Sequence, residues 1–104
     1  MRDAGGGAEW IDPIIHVPAR LLIVKQLFVV DAVDATFLVN QTGLTWGNLG
    51  SHLGRLETAG YVEVEKRFRD KKPCTMIRLT EKGRAAFREY RAKMQETLSD
   101  LPDW

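Results

Sequence analysis

Between positions 45 and 58 the chain spaces Asn48, Ser51 and Arg55 three and four residues apart. On a helix turning roughly 100° per residue, these side chains share one face. An amide presents a donor beside an acceptor, and a guanidinium grips two acceptors at once. Those groups pair with adenine and guanine edges in the wide groove of a duplex. Ser51, the Thr45 hydroxyl and the unpaired amides of a helix start suit phosphate, because free N–H groups and the helix dipole favour anions. Trp46 lies at the same helix start, either packed on the preceding helix or touching sugar and thymine methyl groups. His52 borders the apolar side and reads as a packing or phosphate-contacting residue.

Cations gather just beyond. Residues 66–78 carry six basic side chains (Lys66, Arg67, Arg69, Lys71, Lys72 and Arg78) against one acid, Asp70. The whole chain has a net charge of only +1, and residues 1–54 hold three basic and five acidic groups. A local basic cluster on a near-neutral chain is the footprint of a compact phosphate-contacting surface; a solvated hairpin is the other reading. Arg67, Arg69, Lys71 and Lys72 would supply the salt-dependent part of affinity. Arg69 is the first choice for entering a groove and Lys71 for holding a phosphate.

Three glycines, Gly47, Gly50 and Gly54, fall in the same segment. Each costs a helix about 1 kcal/mol against alanine. Bare backbone at that cost implies a close approach, either to the wall of a DNA groove or to another helix.

Other chemistries find no support. No nucleophile, base and orienting group assemble, and no glycine-rich phosphate loop follows a strand, so an enzyme is not expected. Cys74, His16 and His52 are scattered, so no metal and no cofactor are expected. The single cysteine in 104 residues rules out an internal disulfide and fits a cytoplasmic protein. No apolar run approaches the roughly 18 residues of a membrane span, and the start MRDAGGGAEW lacks a signal region.

These groups need elements to hold them. Residues 1–9 are glycine-rich and read as a flexible tail. Trp10, Ile11, Ile14 and Ile15 cluster around Asp12-Pro13 as a short helical turn. Pro18 suits a first helical position, and Leu21, Leu22, Val24, Leu27 and Phe28 carry a first helix to about Val30. Thr36 caps a short second helix that stops at Thr42-Gly43. Thr45 caps a third, ending at Ala59-Gly60, with Leu49, Leu53 and Leu56 within about 60° of each other facing the core. The opposite arc collects Gly47, Asn48, Ser51, Gly54, Arg55 and Thr58. Helix, glycine turn, helix is the helix-turn-helix arrangement.

Val62, Val64, Lys66 and Phe68 then alternate with Glu63, Glu65 and Arg67 as a strand, and Cys74–Leu79 returns beyond a polar turn. The expected fold is mainly α with a small β-hairpin: a three-helix core, a two-stranded wing over residues 62–79 and a long last helix capped by Thr80. Residues 10–80 would form the winged helix-turn-helix domain and residues 81–104 a dimerisation helix. Phe87, Met94 and Leu101 recur at intervals of seven, with Tyr90 beside them, as in a short coiled-coil seam. Folding back on the domain's own core is the other reading. The expected dimer surface comprises Trp10, Ile14, Phe87, Tyr90, Met94, Leu98 and Leu101.

The ordered pieces carry a resemblance. Gly43-Leu44-Thr45, Gly47-Asn48-Leu49, Ser51-His52-Leu53, Leu56-Glu57 and Ala59-Gly60-Tyr61-Val62 precede the charged wing and Leu79-Thr80-Glu81-Lys82-Gly83-Arg84. With His16-Val17-Pro18-Ala19-Arg20 opening the first helix, about 85 residues resemble small winged-helix transcriptional regulators related to the MarR and ArsR families. The resemblance implies a homodimer on operator-like double-stranded DNA, acting as a repressor-like regulator. It implies DNA contacts from positions matching Trp46, Asn48, Ser51, His52 and Arg55 and from basic wing residues. Gly50 and Gly54 depart from the serine or longer polar residues of relatives, and the paired helical cysteines of ArsR-type metal sensors are missing. A winged helix used only for protein–protein assembly is the competing reading. No small-molecule effector is read from the sequence.

Overall fold

A computed structural model describes residues 8–102. The reading of residues 1–9 as a tail lies outside the described residues up to position 7. Ala8–Trp10 form a 3₁₀ turn, which corrects that reading at its end. The elements that follow are α1 (Pro18–Phe28), β1 (Val33–Asp34), α2 (Ala35–Thr42), α3 (Trp46–Thr58), β2 (Val62–Arg69), β3 (Lys72–Leu79) and α4 (Glu81–Ser99).

Local chemistry accounts for most boundaries. Pro18 opens α1, and Gly43 closes α2 at φ 73°, its N–H donating to Val39 at 2.9 Å. Gly60, at φ 82°, follows α3, with Tyr61 N–H donating to Leu56 at 2.9 Å. Thr45 and Thr80 cap α3 and α4 as expected, accepting from Asn48 and Gly83.

Three boundaries differ from expectation. The cap of α2 is Asp34, whose Oδ1 accepts from Phe37 N–H at 2.8 Å, so Thr36 lies inside the helix. Val33–Asp34 also add a third strand, paired antiparallel with Ile77 and Met76, giving sheet order β1-β3-β2 in place of a lone two-stranded wing. The first helix stops at Phe28, two residues short of Val30. There Arg84 Nη1 donates to the Phe28 carbonyl at 2.9 Å with its guanidinium 5.1 Å from the Phe28 ring, satisfying a helix-end acceptor with a cation.

One core unites the elements. Ile23, Val24 and Leu27 of α1 meet Leu38 of α2, Leu49, Leu53 and Leu56 of α3, and Ile77 and Leu79 of β3. Arg20 extends the same face of α1; it is buried, and its Nε lacks a partner among the described residues. Phe87 and Tyr90 complete this core, only 9% and 5% exposed. Phe87 packs against Phe28 with the rings tilted at 55° and their centroids 5.0 Å apart, and the Tyr90 hydroxyl shares a 2.7 Å hydrogen bond with His16 Nδ1. Their assignment to a dimer surface is therefore corrected: Phe28 of α1 and His16 just before it supply the partners that the seven-residue spacing left open. Beyond Met94 the last helix leaves the body, and the molecule extends 57 × 30 × 23 Å.

The junction between α3 and α4 is tight. Thr80 Oγ1 donates to the Gly60 carbonyl at 2.6 Å, and Thr80 N–H donates to the Tyr61 carbonyl at 2.9 Å. A Cβ on Gly83 would sit 2.2 Å from that same carbonyl oxygen, so only glycine fits. Tyr61 in turn donates to the Asp12 carboxylate, clamping the N-terminal segment.

Burial and the Asp12 bond push the Tyr61 phenol up from 10.0 to about 12. A pKa raised on folding stabilises fully below the unfolded value and is lost as pH climbs through the folded one. Denaturation midpoints should therefore fall between about pH 10 and 12, and Tyr61→Phe should flatten that fall. An alkaline profile identical in the variant would assign the loss to other groups.

Candidate nucleic-acid interface

Leu49, Leu53 and Leu56 anchor α3 at 1%, 7% and 0% exposure, which turns its other side outward. Asn48, Ser51, Arg55 and Thr58 are all exposed there. A Cβ at Gly47, Gly50 or Gly54 would meet nothing within 4 Å. Close packing against another helix of the subunit is thus not what the glycines serve. The bare side of the helix faces open space.

At the helix start, the Asn48 amide is taken by the Thr45 hydroxyl at 3.1 Å. Among the described residues, the Trp46 and Gly47 amides have no acceptor within the chain. Trp46 is 58% exposed, beside Ala35 and Thr36 of α2 and Pro73 and Thr75 of β3. Its indole rests near α2 while leaving most of its surface open. His52 is half-buried at the edge of the core face.

The hairpin beside α3 has two distinct sides. Residues opposite each other in an antiparallel pair share a face. Val62↔Leu79 and Val64↔Ile77 pack inward, so Lys66↔Thr75 and Phe68↔Pro73 continue that side toward the tip. The other side carries Glu63↔Arg78, Glu65↔Met76, Arg67↔Cys74 and Arg69↔Lys72. Asp70 and Lys71 form the turn at φ 53° and 66°; two successive positive φ angles match the right-handed twist of the strands.

Two of the expected wing arginines are engaged within the chain. Arg67 donates to Glu65 at 2.7 Å and holds that carboxyl below its usual range. Arg69 reaches back to Asp34 Oδ2 at 3.4 Å and to Met76 Sδ at 3.5 Å, braced against β1 rather than projecting as the first choice for a groove. Lys66, Lys71 and Lys72 have no carboxylate partner among the described residues.

Between α3 and the inner side of the wing lies an open groove of about 380 Å³, lined by Trp46, Gly50, Gly54, Val64, Lys66 and Thr75 among others. The charge count took in Lys66 but left it and Phe68 out of the expected contacts. The alternation that put them on the valine side was the signal.

A family model for the winged helix DNA-binding domain matches residues 19–98. The chain belongs to the winged helix DNA-binding domain family. The uncharacterized protein MJ0432 of Methanocaldococcus jannaschii is 35% identical over 77 residues, 74% of this chain and 84% of that protein. A transcriptional regulator homologue from Pyrococcus horikoshii OT3 superposes with a TM-score of 0.79 at 28% identity, covering 85% of this chain and 89% of that one. The transcriptional repressor BigR from Xylella fastidiosa gives 0.59 at 26% identity, over 86% and 83% of the two chains. A putative MarR-family regulator from Porphyromonas gingivalis W83, 18% identical, shares the fold at 0.66 over 85% of each chain.

In this winged helix, α3 is the second helix of the helix-turn-helix and β2–β3 form the wing hairpin. Its solved neighbours above 25% identity are described as a transcriptional regulator homologue and a transcriptional repressor, so the chain shares its fold with transcriptional regulators. Among the described residues, no helix is long and apolar enough to cross a membrane.

The glycines divide by their surroundings, and substitution should separate them. Gly50→Ala and Gly54→Ala should each raise stability by about 0.5–1 kcal/mol, since the methyl enters open space and improves the helix. Gly83→Ala should lower it by about 1–3 kcal/mol through overlap with the Tyr61 carbonyl. Urea midpoints check both; destabilisation by Gly54→Ala would mean that the α3 glycines serve packing after all.

Proposed function

We propose that this regulator binds double-stranded DNA sequence-specifically as a homodimer in the cytoplasm and acts as a repressor. Helix α3 lies in the major groove and the β2–β3 hairpin serves as wing. The observation that carries this reading is the uncovered side of α3. Asn48, Ser51 and Arg55 stand exposed there, and on the wing side Gly50 and Gly54 line a groove with Lys66. Asn48 and Arg55 read base edges, with Ser51, Thr45 and the free amides on phosphate. Trp46 and His52 flank the groove wall, and Lys66, Lys71 and Lys72 meet the backbone. Arg67 and Arg69 join them by exchanging exposed carboxylates for phosphates.

Residues 10–80 supply the DNA-binding unit and the outer part of α4 the pairing surface. Leu98 and Leu101 are 56% and 67% exposed, and Met94 and Ile14 are only partly covered by the subunit's core. Trp10, half-buried, is assigned to the same surface. Two-fold pairing would set two recognition helices about 34 Å apart, one turn of duplex.

Random-sequence duplex binding at two salt concentrations tests the reading. A dimer making eight or so phosphate contacts should lose roughly 10³-fold or more in affinity between about 50 and 200 mM salt. Arg55→Ala should cost about 1–3 kcal/mol of discrimination between sequences, whereas Lys71→Ala should weaken all duplexes alike and lower the salt slope by about one. Negligible affinity at both concentrations would favour an assembly module instead. Leu98→Glu with Leu101→Glu should convert a dimer to a monomer in sedimentation; an unchanged mass would move the pairing surface elsewhere.

A further inference from the structure

The wing carries an aromatic ring that the fold does not use. Phe68 is 79% exposed, more than any other large apolar side chain among the described residues. It stands two residues from the turn, on the side of the hairpin that faces α3, directly opposite Pro73. Paired residues of this kind hold their Cβ atoms about 5 Å apart, so ring and pyrrolidine form one small apolar blade.

Position and charge identify what the blade meets. Val64 is the last residue on this side to pack against the core. Four residues further on, at about 3.3 Å each, Phe68 projects roughly 13 Å beyond it. That is close to one major-groove width of about 12 Å, which brings a wing flanking a seated α3 to the adjoining minor groove. Lys66 stands on the same side, and Lys71 and Lys72 at the turn, none with a carboxylate partner among the described residues. An apolar tip ringed by unpaired cations fits a polyanion with a stacked interior.

We propose that Phe68, backed by Pro73, is a wedge that enters the minor groove beside α3 and partly unstacks a base step. Apolar side chains used in this way open pyrimidine–purine steps most readily, because these steps are the most deformable. The wing therefore selects sequence through flexibility at a site where it makes no base-edge hydrogen bond. This rests on the reading of the chain as a duplex binder.

Two duplexes of about 30 base pairs test it, one with TpA steps at helical spacing and 2-aminopurine beside them, the other built from A-tracts. The parent protein should brighten 2-aminopurine on the first duplex and bind it more tightly than the second. Phe68→Ala should abolish the brightening and weaken binding to the TpA duplex about tenfold or more, with little change on the A-tract duplex. Phe68→Leu should retain most of both effects. Because the ring is exposed, each variant should melt as the parent does.

If Phe68→Ala binds and brightens like the parent, the wedge is overturned while the duplex-binding reading stands. An equal loss on both duplexes without any fluorescence difference also overturns it, leaving the ring as a surface contact. A parent that binds neither duplex at low salt overturns the duplex-binding reading, and the wedge with it.

Discussion

Everything the chain presents to a partner depends on how α3 is seated. With glycine at three of its thirteen positions, this helix has poor intrinsic stability. Burial of Leu49, Leu53 and Leu56, each contributing about 1.5–3 kcal/mol, is what keeps it helical. The same leucines fix its rotation. A roll by one residue, about 100°, would lift a leucine into water and carry polar residues toward the core. The helix therefore has one stable orientation, in which its least encumbered side points away from the body. Weak local propensity and a firm tertiary seat make a rigid surface from backbone that would otherwise fray.

That seat is transmitted to the rest of the molecule through very few atoms. The carbonyls of Gly60 and Tyr61 accept from the hydroxyl and amide of Thr80, and Gly83 lets the first turn of α4 approach the Tyr61 carbonyl. The end of α3, the root of the wing and the start of α4 thus share one rigid corner. Asp34 makes a looser link at the other end, with one oxygen capping α2 and the other facing Arg69 of the wing. The angle between α3 and the hairpin, and the direction in which α4 leaves the body, are set at the corner of Gly60, Tyr61, Thr80 and Gly83.

What was legible in the sequence is what local chemistry decides. Gly43 and Gly60 end helices because they adopt positive φ, and Thr45 and Thr80 cap because a hydroxyl three residues ahead accepts an amide. The leucine stripe of α3 follows from helical periodicity alone. Less legible were features settled by distant partners. Phe87 and Tyr90 keep a spacing equally suited to a core or a seam, and only Phe28 and His16, far away in sequence, decide between them. A two-residue strand such as Val33–Asp34 is too short to alternate, which hid both the strand and the Asp34 cap. Gly83 looks like a mere defect in a helix until Tyr61 is brought against it. The alternation of β2 was plain, yet the meaning of Lys66 and Phe68 emerged only once α3 was known to lie on their side.

The near-zero net charge acquires a physical role in this arrangement. Glu65 and Asp34 occupy Arg67 and Arg69 in the free protein, across exposed contacts that are weak in water and weaker in salt. A polyanion can displace both carboxylates, but only where its phosphates reach the outer side of the wing while α3 is also engaged. Cations held this way add little to a loose, single-sided encounter and more to a docked one. Lys66, Lys71 and Lys72, without such partners, are left to supply the first attraction. In the proposed complex, long-range steering and docked affinity would fall to different residues of one hairpin, and the acids that dilute the basic cluster would ease departure from the wrong stretch of duplex.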